Sequence, residues 1–465
     1  MPTLTRATTI TTTIRTCLFD QIITTRTHLY STTLLLSIAL LPTTTLAASF
    51  QILEQSPAHL GKAFAGTASD VIDASSVFFN AAAIVELEQP TLTLGGNAIF
   101  TSSEFSNKNS NTHGINGGTD EIGYVPNLYY AHPISEKLSL GLGINAPYGL
   151  ASEYDDDWYG RYLATYSQLE VVNINAVAAY KVTNTLSFGL GINYQRADVT
   201  LESQFDSTLG VNPSPATDSG AKIQGDDDGF AADVSLFYQP TERTNIGLIW
   251  RQGGEFDLKG DASFSLNPLC SPGQGYPTGA PPAPTTGTIC AVSLNAVAGD
   301  AQAHLQLPDT ITLSGTHQMN DNWWIHGDIA WTEWSNIQEI DVINSGNNLT
   351  INTLELHYKD TLRYALGFTH KSNSPWSWRF GIAFDEAPQT DPTLVNPRIP
   401  DQDRIWFSTG FNYEFSPNTS LDLAYSHIQV DEASINNTNP QTGHHVEGTF
   451  DADVNIIGLQ ANFRF

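Results

Sequence analysis

From Pro90 to the last residue the chain alternates apolar and polar positions with a period of two. The segments are about as long as a membrane-crossing strand, roughly ten residues. In TLSFGLGINYQ, Leu186, Phe188, Leu190, Ile192 and Tyr194 face one way, and Ser187, Gly189, Gly191, Asn193 and Gln195 the other. VVNINAVAAY sets Val172, Ile174, Ala176, Ala178 and Tyr180 against Asn173 and Asn175, and WSWRFGIAFD sets Trp376, Trp378, Phe380, Ile382 and Phe384 against Arg379 and Asp385. The pattern predicts strands near 91–101, 122–132, 138–146, 169–180, 185–200, 229–239, 244–264, 302–317, 323–340, 354–370, 376–387, 403–415, 420–434 and 446–465.

A soluble sandwich alternates too, so the connections decide. Short turns (HPISEK, KVTN, QPTER, QMND, KSNSP, SPNT) alternate with long polar loops, giving fourteen strands, six turns and seven loops. An even, antiparallel set with both ends on the short-turn side matches the asymmetry of outer-membrane barrels. In lipid no strand edge stays unpaired, so the sheet must close on itself. The closing segment LQANFRF keeps Leu459, Ala461, Phe463 and Phe465 on one face to its final residue, as a strand that pairs with the first requires.

Composition narrows the partners. With 20 Lys+Arg against 48 Asp+Glu, the net charge is −28, and no basic stripe exists to neutralise a nucleic acid. No window holds the roughly 18 consecutive apolar residues of a spanning helix. Arg6, Arg15 and Arg26 precede the short apolar run 34–41, and Thr45-Leu46-Ala47 follows. This reads as a signal peptide, residues 1–47, cleaved after Ala47, with a region before the apolar run long enough that translation could start downstream. Cys17 leaves with it. Cys270 and Cys290 flank SPGQGYPTGAPPAPTTGTI, a stretch expected to form no core element. In an oxidising compartment they read as a disulfide closing that loop, worth about 3 kcal/mol on the chain-entropy model. Their spacing suits neither a metal nor a redox pair.

Several ordered stretches resemble the long-chain fatty acid and hydrocarbon transporter family of the outer membrane, the FadL/TodX type. They are ASFQILEQSPAHLGKAFAG (48–66), APYGLASEYDDDWYGRY (146–162), LPDTITLSG (307–315), WWIHGDIAWTEWS (323–335), KDTLRYALGF (359–368), WSWRFGIAFDEAP (376–388) and IPDQDRIWFSTGFNYEF (399–415). The resemblance implies an all-β, fourteen-stranded antiparallel transmembrane barrel over 90–465, with residues 48–89 folded inside it as a plug. It also implies passive uptake of hydrophobic molecules, above all long-chain fatty acids, with neutral hydrocarbons as the rival cargo. Contact with outer-membrane lipid and lipopolysaccharide is implied as well, as is reading of Phe465 by the barrel assembly machinery. Where the family carries Asn-Pro-Ala near the end of the plug, this chain has Asn80-Ala81-Ala82.

The family's sideways exit at a kinked third strand maps onto Asn145, Pro147 and Gly149. Pro147 donates no ladder hydrogen bond and Gly149 packs nothing, so pairing should fail there; a loop start would use the same residues. Tyr148, Trp158, Tyr159, Tyr162 and Leu163 are candidates for an apolar outer groove, with packing inside the loop as the alternative. Asp155, Asp156 and Asp157 read as solvated or as divalent-cation ligands beside lipopolysaccharide. For an acidic cargo the lumen-side cations by parity are Arg251, Lys359, Arg363, Arg379 and Arg404, each of which could instead serve ion pairs with Asp328, Asp385 or Glu414. Arg196 falls on the lipid side at the outer rim. No cofactor, metal site or enzymatic motif is expected: GxSxG is absent, and His444-His445 lacks a third ligand. The rival of another class is a structural or adhesive surface barrel.

Overall fold

The computed structural model describes residues 49–439 and 442–465; the expected signal segment and Cys17 lie outside the described residues. Nineteen strands form one antiparallel sheet among the described residues. They are β1 (Thr91–Asn107), β2 (Gly118–Pro133), β3 (Leu138–Glu153), β4 (Tyr166–Lys181), β5 (Leu186–Asp206), β6 (Asp218–Thr241), β7 (Thr244–Arg251), β8 (Glu255–Ser265), β9 (Gly299–Gln306) and β10 (Thr310–Gln318). The rest are β11 (Trp323–Thr332), β12 (Glu339–Asn344), β13 (Thr350–Glu355), β14 (Thr361–Lys371), β15 (Trp376–Asp385), β16 (Arg404–Ser416), β17 (Thr419–Val430), β18 (Ala433–Thr438) and β19 (His445–Arg464). Five wall strands are each broken in two (β7/β8, β9/β10, β11/β12, β13/β14, β17/β18), so the wall has fourteen. Two of the breaks have visible causes: Pro308 cannot donate to a ladder, and Trp334–Asn336 makes a tight turn. Closure is complete, because β1 pairs with β19 from Thr91↔Arg464 to Asn107↔Gly448.

The faces are inverted relative to a soluble protein. On β5 the outward Leu190, Ile192 and Tyr194 are exposed while the inward Ser187, Asn193 and Gln195 are buried, which is the arrangement lipid demands. Tyr194 meets Phe230 of β6 with ring centroids 5.5 Å apart. Beyond this pair the outward positions turn to Arg196, Asp198, Asp226 and Asp228. Arg196 bonds Asp226 at 2.6 Å and lies 3.4 Å from Asp198. The ladder nevertheless continues to Asp206↔Asp218, so both strands outrun the expected 185–200 and 229–239. Outside hydrocarbon the outward face needs no apolar residues, so the pattern fades while the pairing persists.

Residues from Ser49 to Gln89 lie within the barrel and are mostly buried. They hold two single helical turns, Pro57–Leu60 and Ser76–Phe79, and a 3-10 segment, Ala81–Glu86. The Ser56 side chain caps the first by accepting from His59 N–H. Outside the wall, Cys270 and Cys290 are joined with Cα atoms 5.2 Å apart. The stretch between them is not wholly irregular: helix Thr286–Val297 starts inside it, with the Thr285 hydroxyl accepting from Thr288 N–H. Sequence reading missed this helix because Pro and Gly dominate just before it.

Candidate functional site

The plug occupies the lower lumen beside a polar cavity of about 160 Å³ bounded by Asp70, His326, Arg379 and Asn412, and glycines make its close fit to the wall possible. Seven strands present a glycine to it: Gly141 on β3, Gly189 on β5, Gly247 on β7, Gly367 on β14, Gly381 on β15, Gly410 on β16 and Gly458 on β19. A Cβ on Gly247 would stand 1.8 Å from Ala68 O, and one on Gly381 would stand 2.1 Å from Lys62 C. Plug backbone therefore lies directly on wall backbone. Polar side chains complete the seat. Asp328 accepts from Gly66 N–H at 2.6 Å and from the Thr67 hydroxyl at 2.5 Å. Ser314 accepts from Ala68 N–H at 3.0 Å, and Ser69 bonds Thr316 at 2.8 Å. Asn80 donates to Ala68 O and Leu236 O and accepts from Ala82 N–H; Ala81 stands where a proline is expected. Buried, satisfied polar contacts of this kind fix one arrangement.

Above this seal lies a cavity of about 100 Å³. Its wall is apolar: Phe50 from the plug, Leu150, Leu169, Val199, Leu201 and Ile223 from β3 to β6, Leu258 and Leu305, and Ile340, Leu354 and Leu356. Val199, Leu201 and Ile223 lie beyond Tyr194 and Phe230 along their strands, so the cavity sits past the lipid-facing band. Among the described residues the only charged one lining it is Arg398, from the segment 386–403 that joins β15 to β16. Arg398 is 3% exposed. Its guanidinium donates to Tyr166 O at 2.8 Å, Ser167 Oγ at 2.9 Å and Glu202 O at 3.1 Å, while Nε has no partner among the described residues. Burial pushes this group down to about 10, and no carboxylate lies within ion-pair distance among the described residues. Burying an uncompensated cation costs on the order of several kcal/mol.

Beside the cavity the wall is incomplete. The β2–β3 ladder ends at Leu128↔Ile144. On its other edge β3 remains paired with β4, with a register shift between Asn145 and Tyr148. The free edge is covered by the plug's first residues. The Gln55 side chain donates to Ala146 O at 2.6 Å and accepts from Ala146 N–H at 3.2 Å. Ile52 N–H donates to Pro147 O at 2.8 Å, and Gly149 N–H to Phe50 O at 2.9 Å. Residues 50–55 thus bond the edge of β3 where β2, still paired with β1, no longer does. The pairing failure expected at Pro147 and Gly149 falls on one edge only.

The other expected residues are placed as follows. Trp158 is fully buried, donates to Ala164 O at 2.7 Å and stacks on Tyr154 at 4.4 Å, so it is core of the outer loops and lines no groove. Tyr159 and Leu163 pack against that cluster. Tyr162 stacks on His444 at 4.2 Å and donates to Asp218. With Asp155, Asp156 and Asp157 on the solvent side, the apolar members of the loop turn inward. Tyr148 is buried beside Phe50 and donates to Pro308 O. Of the five expected lumen cations, four are engaged elsewhere and one is exposed. Arg251 donates to Phe78 O, Arg363 to Ala63 O at 2.8 Å, Arg379 pairs with Asp422 at 2.5 Å, Arg404 pairs with Asp401, and Lys359 is exposed at the β13/β14 break. None of them lines the cavity. Arg398, which does, was missed because it lies in a loop with no periodicity; its long-range contacts define it.

Comparison with known proteins agrees with this architecture. The family model described as "Outer membrane protein transport protein (OMPP1/FadL/TodX)" matches residues 38–465. The long-chain fatty acid transport protein of Escherichia coli K12 is 30% identical over 430 residues, covering 87% of this chain and 92% of that protein. The 47 kDa outer membrane protein of Pasteurella multocida is 32% identical over 456 residues, covering 95% and 100%. Among solved structures, a Pseudomonas aeruginosa FadL homologue superposes with a TM-score of 0.79 at 22% identity, covering 90% of this chain and all of that one. The toluene transporter TodX of P. putida gives 0.64 at 17%, covering 84% and 94%. The chain belongs to the OMPP1/FadL/TodX family of outer-membrane transport proteins: a fourteen-stranded barrel of the outer membrane, a transporter of hydrophobic compounds and not an enzyme.

Proposed function

We propose that this protein takes up long-chain fatty acids, which enter the apolar cavity from outside and leave sideways between β2 and β3. The observation that carries the reading is the cavity's chemistry: an apolar wall for an acyl chain and one buried, acid-free cation, Arg398, for a carboxylate. A hydrocarbon chain gains about 0.8 kcal/mol per buried CH₂, and an Arg–carboxylate pair adds orientation. The E. coli relative, a long-chain fatty acid transport protein, points the same way. Sideways exit is supported by the β2–β3 gap, where residues 50–55 cover the edge of β3, and by the glycine-seated seal beneath. Residues 48–89 act as the plug, after removal of a signal peptide ending at Ala47.

Ligand pockets usually measure roughly 300–1,000 Å³, so a cavity of about 100 Å³ must widen to take a long acyl chain. A neutral hydrocarbon is the second reading, favoured by the engagement of Arg251, Arg363, Arg379 and Arg404 with other groups and by the likeness to TodX. Uptake of labelled oleate and labelled toluene by cells lacking the protein, with and without its restoration, separates them. The fatty-acid reading expects oleate uptake to depend on the protein. Toluene dependence alone moves the assignment to hydrocarbons, and no change in either removes both.

A further inference from the structure

The segment 386–403 does more than join two strands. Pairing of β14 with β15 and of β15 with β16 stops at Asp385, opposite Arg363 and Arg404. Beyond that level the chain leaves the sheet as a strap and returns at Arg404. At one side it is held by neutral contacts: Lys359 N–H donates to Pro388 O at 3.0 Å, Gln389 donates to Leu356 O at 2.8 Å, and Asn436 N–H donates to Pro392 O at 2.6 Å. At its far end Arg398 reaches the opposite wall, where the three acceptors belong to β4 and β5: Tyr166 O, Ser167 Oγ and Glu202 O. Tyr154 adds one bond, from its hydroxyl to Pro397 O at 2.8 Å. Ile399, next in the chain, lines the cavity together with Arg398.

We infer that segment 386–403 is a lid over the cavity, that Arg398 is its latch, and that a carboxylate bound in the cavity releases it by taking the guanidinium from the three neutral acceptors. This rests on the fatty-acid reading and adds to it the residue that senses the head group. The chemical argument is a competition. A guanidinium prefers a carboxylate, which can take two parallel charge-assisted bonds, over scattered carbonyl and hydroxyl acceptors. The unpartnered Nε gives an incoming acid an open donor before any existing bond has to break. A cavity smaller than its cargo then gains room when the lid lifts, so binding and widening are one event. An uncharged ligand of the same length has no such hold on Arg398 and leaves the latch closed.

The test uses the full mature protein in detergent, with spin labels on Thr393→Cys in the lid and Thr217→Cys at the outer end of the β5–β6 wall. The inter-label distance is read with no ligand, with oleate and with methyl oleate, which has the same tail and no charge. The expected result is a longer, broader distance with oleate and no change with methyl oleate. Arg398→Gln should show the longer distance without ligand and bind oleate at least tenfold more weakly, with methyl oleate bound no more weakly than before; Arg398→Lys should recover part of the oleate affinity. Should Arg398→Gln fail to fold, Ser167→Ala removes one latch acceptor and should broaden the ligand-free distance alone. Equal responses to the two ligands, or an unmoved lid with oleate bound, overturn the latch while leaving the cavity reading intact. If oleate does not bind at all, the cavity reading falls and the latch with it.

Discussion

The two halves of the lumen solve opposite problems with opposite side chains. Below, the wall offers glycines, and plug backbone rests on strand backbone with less than a Cβ of clearance at Gly247 and Gly381. Above, the wall offers Leu, Val and Ile that stop short of meeting and leave a cavity. Interiors packed at close to crystal density do not yield to one extra methylene without shifts, so the lower half acts as a fixed seal. The upper half is bounded by the strap 386–403 and residues 50–55, which are held by separate hydrogen bonds and not by a continuous ladder. Movement belongs there. The same plug therefore contributes a static body, from about Pro57 to Glu86, and a short leading segment that closes the wall.

The largest effect expected from disturbing this contrast is in the seal. Gly247→Val puts a branched side chain where Ala68 O already sits, and should prevent plug seating; loss of the heat-modifiable band on gels and of surface expression would report it. Next is Arg398→Gln, expected to lower oleate uptake about tenfold, in keeping with the roughly 1.5–3 kcal/mol of a hydrogen bond to a charged group, with toluene uptake unaffected. Filling the cavity comes third. Leu258→Trp should lower oleate uptake severalfold with an unchanged melting temperature, because the added volume goes into empty space. Gln55→Leu removes both bonds to Ala146, and should raise leakage of a membrane-impermeant dye through the β2–β3 gap. The smallest effect on transport belongs to Cys270→Ser. It should cost about 3 kcal/mol of loop stability, read as faster proteolysis between 270 and 290, with uptake nearly unchanged.

Much of the wall was legible because lipid outside and polar lumen inside impose a strict period of two. Wherever one face ceased to be lipid the signal weakened. The outer ends of β5 and β6, with Asp226, Asp227 and Asp228 in sequence, read as loop although their ladder is continuous. The glycines of the seal were visible as small residues on the polar parity, as in Gly189, but their purpose depends on a plug that meets them from far along the chain. Trp158 shows the converse: aromatic residues in a loop are compatible with a groove or with a core, and only its contacts with Phe105, Tyr154 and Phe450 decide. Arg398 carries no pattern at all. Its partners Tyr166, Ser167 and Glu202 are about two hundred residues away in sequence.

The central claim is that the plug body stays in place while cargo enters above it and leaves through the wall. Ser69 and Thr316 join plug to β10 through hydroxyls 2.8 Å apart, which makes the two positions a direct place to try a cross-link. The most direct measurement is oleate uptake by cells carrying Ser69→Cys with Thr316→Cys, before oxidation, after it, and after reduction. The account predicts the same rate in all three states, with the cross-link verified on a gel. Uptake that stops on oxidation and returns on reduction would contradict it, and would put the path through the plug.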